Sequence, residues 1–234
     1  MLGCPRSQGW KVLVNMASKT LGTPRSKPLL RGVTHQVACF ITLAAGLWLI
    51  YLAPSIRSGV AAVVYSLSVT ILFGVSALYH RLTWTPAKRR LMKRLDHSAI
   101  FLLIAGSYTP VVLLTFPADR WVDFLSFIWV GAACGIIQSI IWPGAPRIVV
   151  AGLCLALGWA AVFEWDVFKL GLSNSQIVLI ALGGVFYSIG AAVYALRYPD
   201  PWPVVFGYHE VFHVLTIMAT ICHFFVVYQL VLAS

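Results

Sequence analysis

The chain has 234 residues, 60% of them hydrophobic and only 10% charged, with a formal net charge of +10 and a mean hydropathy of +0.86. Soluble domains carry about 25% charged residues, so this composition excludes an ordinary water-soluble enzyme and points to an all-α integral membrane protein with several passes. In a soluble protein such a charge would suggest a nucleic-acid partner. Here its distribution along the chain is better explained by membrane topology, and no nucleic-acid partner is expected.

Residues 1–32 hold Arg6, Lys11, Lys19, Arg25, Lys27 and Arg31 and no acid. With no sustained apolar stretch they read as a short basic tail rather than a cleavable signal peptide, and Met16 is an alternative start within it. Seven apolar segments follow, at about 33–53, 58–80, 96–116, 121–141, 147–165, 175–196 and 209–232, which makes 33–232 one transmembrane domain. Each is close to the roughly 20 residues that a helix needs to cross a bilayer. In the third segment, Gly106-Ser107-Tyr108-Thr109-Pro110 predicts a kink, with Ser107 available to satisfy a freed carbonyl. Gly131 and Gly135 in the fourth, and Gly183 and Gly184 in the sixth, allow close helix approach. Ser173-Asn174-Ser175 supplies a cap for the sixth, and Pro199, Pro201 and Pro203 break the chain ahead of the seventh. The five cysteines, Cys4, Cys39, Cys134, Cys154 and Cys222, form no C-x-x-C pair, so neither a disulfide framework nor a zinc knuckle is expected.

Lysine and arginine set the orientation. The tail and the loop after the second segment (Arg81, Lys88, Arg89, Arg90, Lys93, Arg94) fall on one side, together with Arg147 and Arg197. That side takes fourteen of the seventeen basic residues, leaving Arg57, Arg120 and Lys169 opposite. The expected arrangement is a cytoplasmic N-terminus, seven helices and an outside C-terminus, most simply in the plasma membrane. Loop 81–94 then sets topology first and grips anionic headgroups second.

Alternation carries the argument to a site. Ser76 and His80 end the second segment, Asp96 and His97 open the third, and His209 and His213 open the seventh, all on the cytoplasmic side. Residues four apart share a helix face, so Ser76 pairs with His80 and His209 with His213. Ionisable groups inside apolar segments are costly and mark function. Three imidazoles with one open position suit a catalytic zinc ion, with His80, His209 and His213 as ligands. Asp96 is then the acid/base on a water, and Ser76 hydrogen-bonds Asp96, a substrate carbonyl or that water. The competing reading is a set of interfacial histidines bonded to backbone or lipid, with Asp96 capping the third helix.

Three other histidines are expected outside the site. His223 lies ten residues past His213, about 15 Å along the helix. His35, at the start of the first segment, is expected at the interface. His97 points about 100° away from Asp96 and reads as a packing or supporting residue. The string His209-Glu210-Val211-Phe212-His213 also fits H-E-x-x-H, in which Glu210 would be the base of a metalloprotease. That reading leaves Ser76, His80 and Asp96 unexplained.

Four strings together, Ser76-Ala77-Leu78-Tyr79-His80, Leu95-Asp96-His97-Ser98, Ala105-Gly106-Ser107-Tyr108-Thr109-Pro110 and Phe206-Gly207-Tyr208-His209-Glu210-Val211-Phe212-His213, resemble the hemolysin III family. This is the bacterial-type branch of the progestin and adipoQ receptor (adiponectin-receptor-like) group, and the resemblance covers about residues 30–232. It implies seven helices with a cytoplasmic N-terminus, and zinc on His80, His209 and His213 with Asp96 reaching it through water and Ser76 alongside. Receptor relatives with this site resemble lipid-amide hydrolases acting on ceramide-type substrates. The expected function is therefore zinc-dependent hydrolysis of an acyl bond in a membrane lipid. The alternative is a receptor or lytic protein with structural zinc, although no polar stripe suggests a pore.

Overall fold

A computed structural model describes residues 27–234; most of the expected basic tail, residues 1–26, lies outside the described residues. Seven helical spans are long and apolar enough to cross a membrane, with mean hydropathies of 1.7 to 2.1. They comprise α1 (Val33–Leu52), α2 (Ile56–Arg81), α3 (Pro86–Thr115), α4 (Trp121–Ile141), α5 (Arg147–Gly158), α6 (Trp165–Gly171), α7 (Asn174–Leu196) and α8 (Tyr208–Leu232). The short helices α5 and α6 share the fifth span with a 3₁₀ turn, Ala160–Glu164. No strand occurs among the described residues, only an isolated bridge between Trp202 and Phe206. The outer surface is apolar, with Phe40, Leu47, Tyr51, Phe163 and Leu170 each more than half exposed. A soluble monomer rarely shows apolar patches on this scale.

Local chemistry explains where the helices start. Ser55 and Ser58 form a reciprocal capping box on α2, and Ser173 with Gln176 does the same on α7, as the serine-rich string before it suggested. The third helix begins well before the expected 96, because Thr85 caps it and Pro86 occupies its first position. Much of the expected basic loop 81–94 is therefore a helical extension, which places Arg89 and Lys93 on one face. Pro110 sits within α3 without ending it. Ser107 does not take the carbonyl that Pro110 frees, that of Gly106; it donates to Ile104 at 2.9 Å, while Thr109 donates to Ala105 at 2.8 Å.

The fifth span is not the continuous helix expected over 147–165. It breaks after Gly158, and the break is held by one side chain from α3. Tyr108 Oη donates to the Gly158 carbonyl at 2.7 Å and accepts from the Ala161 amide at 2.9 Å. Irregular backbone at membrane depth persists only where such partners exist or where it lines a cavity. Both conditions hold, since Gly158 and Ala161 also line the internal cavity described below.

Helix α8 runs up the middle of the bundle, touching α1, α2, α3 and α7. Two apolar cores flank it. One, around Leu49, Phe73, Leu103, Val227 and Val231, joins α1, α2, α3 and α8. The other, around Phe101, Phe116, Ile128, Phe168 and Val226, joins α3, α4, α6 and α8. Helices in lipid associate by close packing rather than by escape from water. The glycines show how that is achieved: a Cβ on Gly135 would collide with the Phe101 ring, and one on Gly183 with the His223 ring.

Candidate metal centre

Helices α2, α3 and α8 bring the polar residues that the sequence placed at one depth to the same end of the bundle. His80, His209 and His213 are gathered so that one ring nitrogen from each lies within 4.8 Å of the other two. His80 Nε2 and His209 Nε2 are 3.0 Å apart. Nitrogens around a tetrahedral metal at about 2.05 Å would sit about 3.3 Å from each other, and the His80–His209 pair is already close to that spacing. The donor chemistry fits as well, and His213 Nδ1 is a buried polar atom with no hydrogen-bond partner. These three histidines are placed to hold a metal ion.

Asp96, on α3, is buried beside the cluster with Oδ2 3.9 Å from His80 Nε2, beyond direct hydrogen bonding. Ser76 is also buried, and its side chain lies within reach of the Asp96 carboxyl. Asp96 belongs to the interior of α3, since that helix starts at Pro86, so it does not cap the helix.

His35 departs from expectation. Expected at the interface, it is packed inside the bundle, 2% exposed, with its ring stacked on that of His213 at 3.6 Å and 11° between planes. Phe73 meets it edge-on at 4.9 Å. Helix α1 thus packs an aromatic plate against the back of one cluster histidine. Nothing in the local sequence announced this contact, although the depth of His35 at the start of α1 was consistent with it.

Glu210 is likewise settled by its neighbours. It is fully buried, with Oε1 2.7 Å from Arg31 Nε and Oε2 accepting the Gly207 amide at 2.8 Å. The carboxylate completes the N-terminal cap of α8 and neutralises an arginine from the segment before α1. Both oxygens are thus engaged in holding the start of α8, which gives Glu210 a structural task without the metalloprotease reading. The same segment pairs with the loop ahead of α8, where the Leu29 and Leu30 amides donate to the Val204 and Val205 carbonyls. Asp200 Oδ1 then accepts the Tyr208 amide at 2.9 Å. These contacts fix the end of α8 that carries the histidines.

The profile of the family described as "Haemolysin-III related" matches residues 24–224. The chain belongs to this family. Hemolysin-3 of Bacillus cereus is 30% identical over 211 residues, covering 88% of this chain and 92% of that protein. The Hemolysin-3 homolog of Bacillus subtilis (strain 168) is 26% identical over 202 residues, 85% of this chain and 92% of its own. The adiponectin receptor protein of Drosophila melanogaster is 26% identical over 213 residues, covering 82% of this chain and 48% of the receptor.

In this member of the haemolysin-III family the histidine cluster heads a cavity of about 1160 Å³. The cavity starts among Ser76, His80, Asp96, His209 and His213, and ends at Phe168, Leu172 and Ile177. Its walls are mostly apolar side chains of α3, α5, α6, α7 and α8. His97 lines it without joining the metal cluster. His223 also lines it part-way down, with Nε2 3.4 Å from the Ile180 carbonyl and its ring against Tyr187. Both stay outside the three-histidine set, as expected.

Proposed function

We propose that this protein is a zinc-dependent hydrolase of an acyl bond, most simply an amide, in a membrane lipid, with its site on the cytoplasmic side of the plasma membrane. The supporting observation is the juxtaposition of a three-imidazole cluster, a buried carboxylate and a long apolar cavity. A cavity of about 1160 Å³ exceeds what small-molecule sites usually need, about 300–1,000 Å³, and suits an acyl chain. Its head end lies where the charge asymmetry sets the cytoplasmic interface, at which a lipid's linkage region meets water.

Zinc on His80, His209 and His213 would supply polarisation of the acyl carbonyl and a water acidic enough to ionise near neutral pH. Asp96 would accept a proton from a water beside the cluster as the water oxygen bonds to the acyl carbon, and would return it to the leaving nitrogen as the acyl C–N bond breaks. The products are a fatty acid and an amine. Ser76 orients the Asp96 carboxyl. The plate of His35 and Phe73 holds the His213 ring, so that the ligand set is pre-formed. Water is kept from the far end of the cavity by its apolar walls.

A non-enzymatic reading, a receptor or lytic protein whose metal pins α2 to α8, uses the same three histidines and leaves the cavity and Asp96 without a task. One substitution separates the two. Asp96→Asn should retain metal and fold yet lose at least about a hundred-fold in fatty-acid release from N-acyl lipids in nanodiscs. Equal release by the variant, or none by the wild type on ceramide-like, N-acyl and glycerophospholipid substrates, would remove the catalytic role and favour the structural one.

A further inference from the structure

The cations at the head of the cavity are not spread as topology alone would require. Of the six basic residues in 81–94, Arg89 and Lys93 line the cavity, whereas Arg81, Lys88, Arg90 and Arg94 do not. Lys27, Arg31, Arg147 and Arg197 converge on the same mouth from three other segments. Only Arg31 among these has a carboxylate partner within the described residues. The acids at the mouth are committed elsewhere, Asp96 beside His80 and Asp200 on the Tyr208 amide. Partial burial, and then the charges of Arg89, Arg31 and Arg81, hold the Lys27 ammonium below its usual range, as expected where positive charge lacks a counter-ion.

Among the cations that lack a carboxylate partner, Arg147 is held by the most contacts. Half-buried at the start of α5, it donates from Nη1 to Tyr208 Oη at 3.1 Å. Its guanidinium carbon lies 5.2 Å from the Tyr194 ring centre and 5.6 Å from that of Tyr208. Those two rings stand 6.0 Å and 6.1 Å from the His209 ring. The guanidinium is therefore fixed one aromatic layer from the metal cluster, with most of its five donors uncommitted. A planar fork held this way matches the geometry of a phosphate or carboxylate.

We propose that this mouth is a binding site for an anionic headgroup, and that the ligand entering the cavity is an acyl amphiphile bearing a phosphate or carboxylate a few bonds from its acyl linkage. Arg147 is the principal contact, and Arg89 and Lys93 draw the anion in from the surface. The inference rests on reading the cavity as a lipid site, and it does not depend on hydrolysis.

The test measures binding to purified full-length protein in phosphatidylcholine nanodiscs. Oleoyl lysophosphatidic acid is compared with monooleoylglycerol, which has the same chain and no charge, and with inorganic phosphate, which has no chain. The expected result is binding of the anionic amphiphile at least about ten-fold tighter than either, falling about ten-fold in Arg147→Gln while monooleoylglycerol binding is unchanged. The pair Arg89→Gln/Lys93→Gln, on an exposed helical extension, should weaken anion binding several-fold at low salt and less at high salt. It decides the matter should Arg147→Gln prove unstable. Equal binding of charged and neutral amphiphiles, equally tight inorganic phosphate, or variants that leave anion binding intact would each overturn the proposal. Loss of fatty-acid release in Asp96→Asn with the anionic preference retained would bear on the reaction alone. An inactive wild type that still prefers the anion would discard hydrolysis and keep this site.

Discussion

Helices α2 and α3 on one side, and the fifth and sixth spans on the other, are built from equally apolar sequence and do different things with it. Their mean hydropathies are 2.0 and 1.8 against 1.9 and 2.1, yet 56% of each of the first two windows is buried in the bundle and only 17% of each of the second two. Hydropathy reports that a segment can live in lipid; it does not report what the segment touches. Apolar side chains of α2 and α3 meet other helices, whereas many of those on α5, α6 and α7 meet lipid or the cavity. The histidine cluster sits at the seam, with its ligand helices α2 and α8 in the packed half and the cavity opening into the loose one. The cluster thus stands on helices that are packed by protein and faces a cavity whose far wall is packed mainly by its surroundings.

The largest expected effect on stability comes from the clasp over the packed half. Arg31→Met strands the buried Glu210 carboxylate and should cost about 4 kcal/mol, read as a loss of thermal stability in mild detergent. Restoration by Arg31→Met/Glu210→Gln would confirm charge as the cause, and an Arg31→Met protein as stable as wild type would show that the clasp contributes little. The seam comes next. Tyr108→Phe leaves the Gly158 carbonyl and Ala161 amide without their partner and should cost about 2 kcal/mol. Hydrogen exchange should rise around Gly158–Glu164 and stay unchanged in α2, and uniform loosening would argue that the two halves are one cooperative unit. The smallest effect belongs to the loose wall, where Phe163, 82% exposed, faces outward. Phe163→Ala should change stability by less than about 0.5 kcal/mol, and a cost like that of a core residue would mean this face is covered by something.

This contrast also marks what was legible in the sequence. All seven spans could be read from hydropathy, and the fourth span was placed at 121–141, matching Trp121–Ile141. The meeting of His80, His209 and His213 followed from helix periodicity and alternation of sides, because both rules act along the chain. What was missed acts between distant segments. The Arg31–Glu210 pair and the His35–His213 stack join α1 and its approach to α8, and no periodicity encodes them. The break after Gly158 carries no proline, and the group that satisfies it, the Tyr108 hydroxyl, belongs to α3. The early start of α3 was in the sequence, at Thr85-Pro86, but was outweighed by the charge that follows. A helix can leave the bilayer without ending.

The central claim is that three histidines from two helices hold a metal ion. Protein purified without chelator should contain about one zinc per chain by elemental mass spectrometry. His209→Ala and His213→Ala should each lose most of it while circular dichroism still reports a folded helical bundle, and His97→Ala and His223→Ala should keep it. Folded wild-type protein that carries no metal and takes up no zinc would contradict the account, as would cluster variants that bind as much as the wild type.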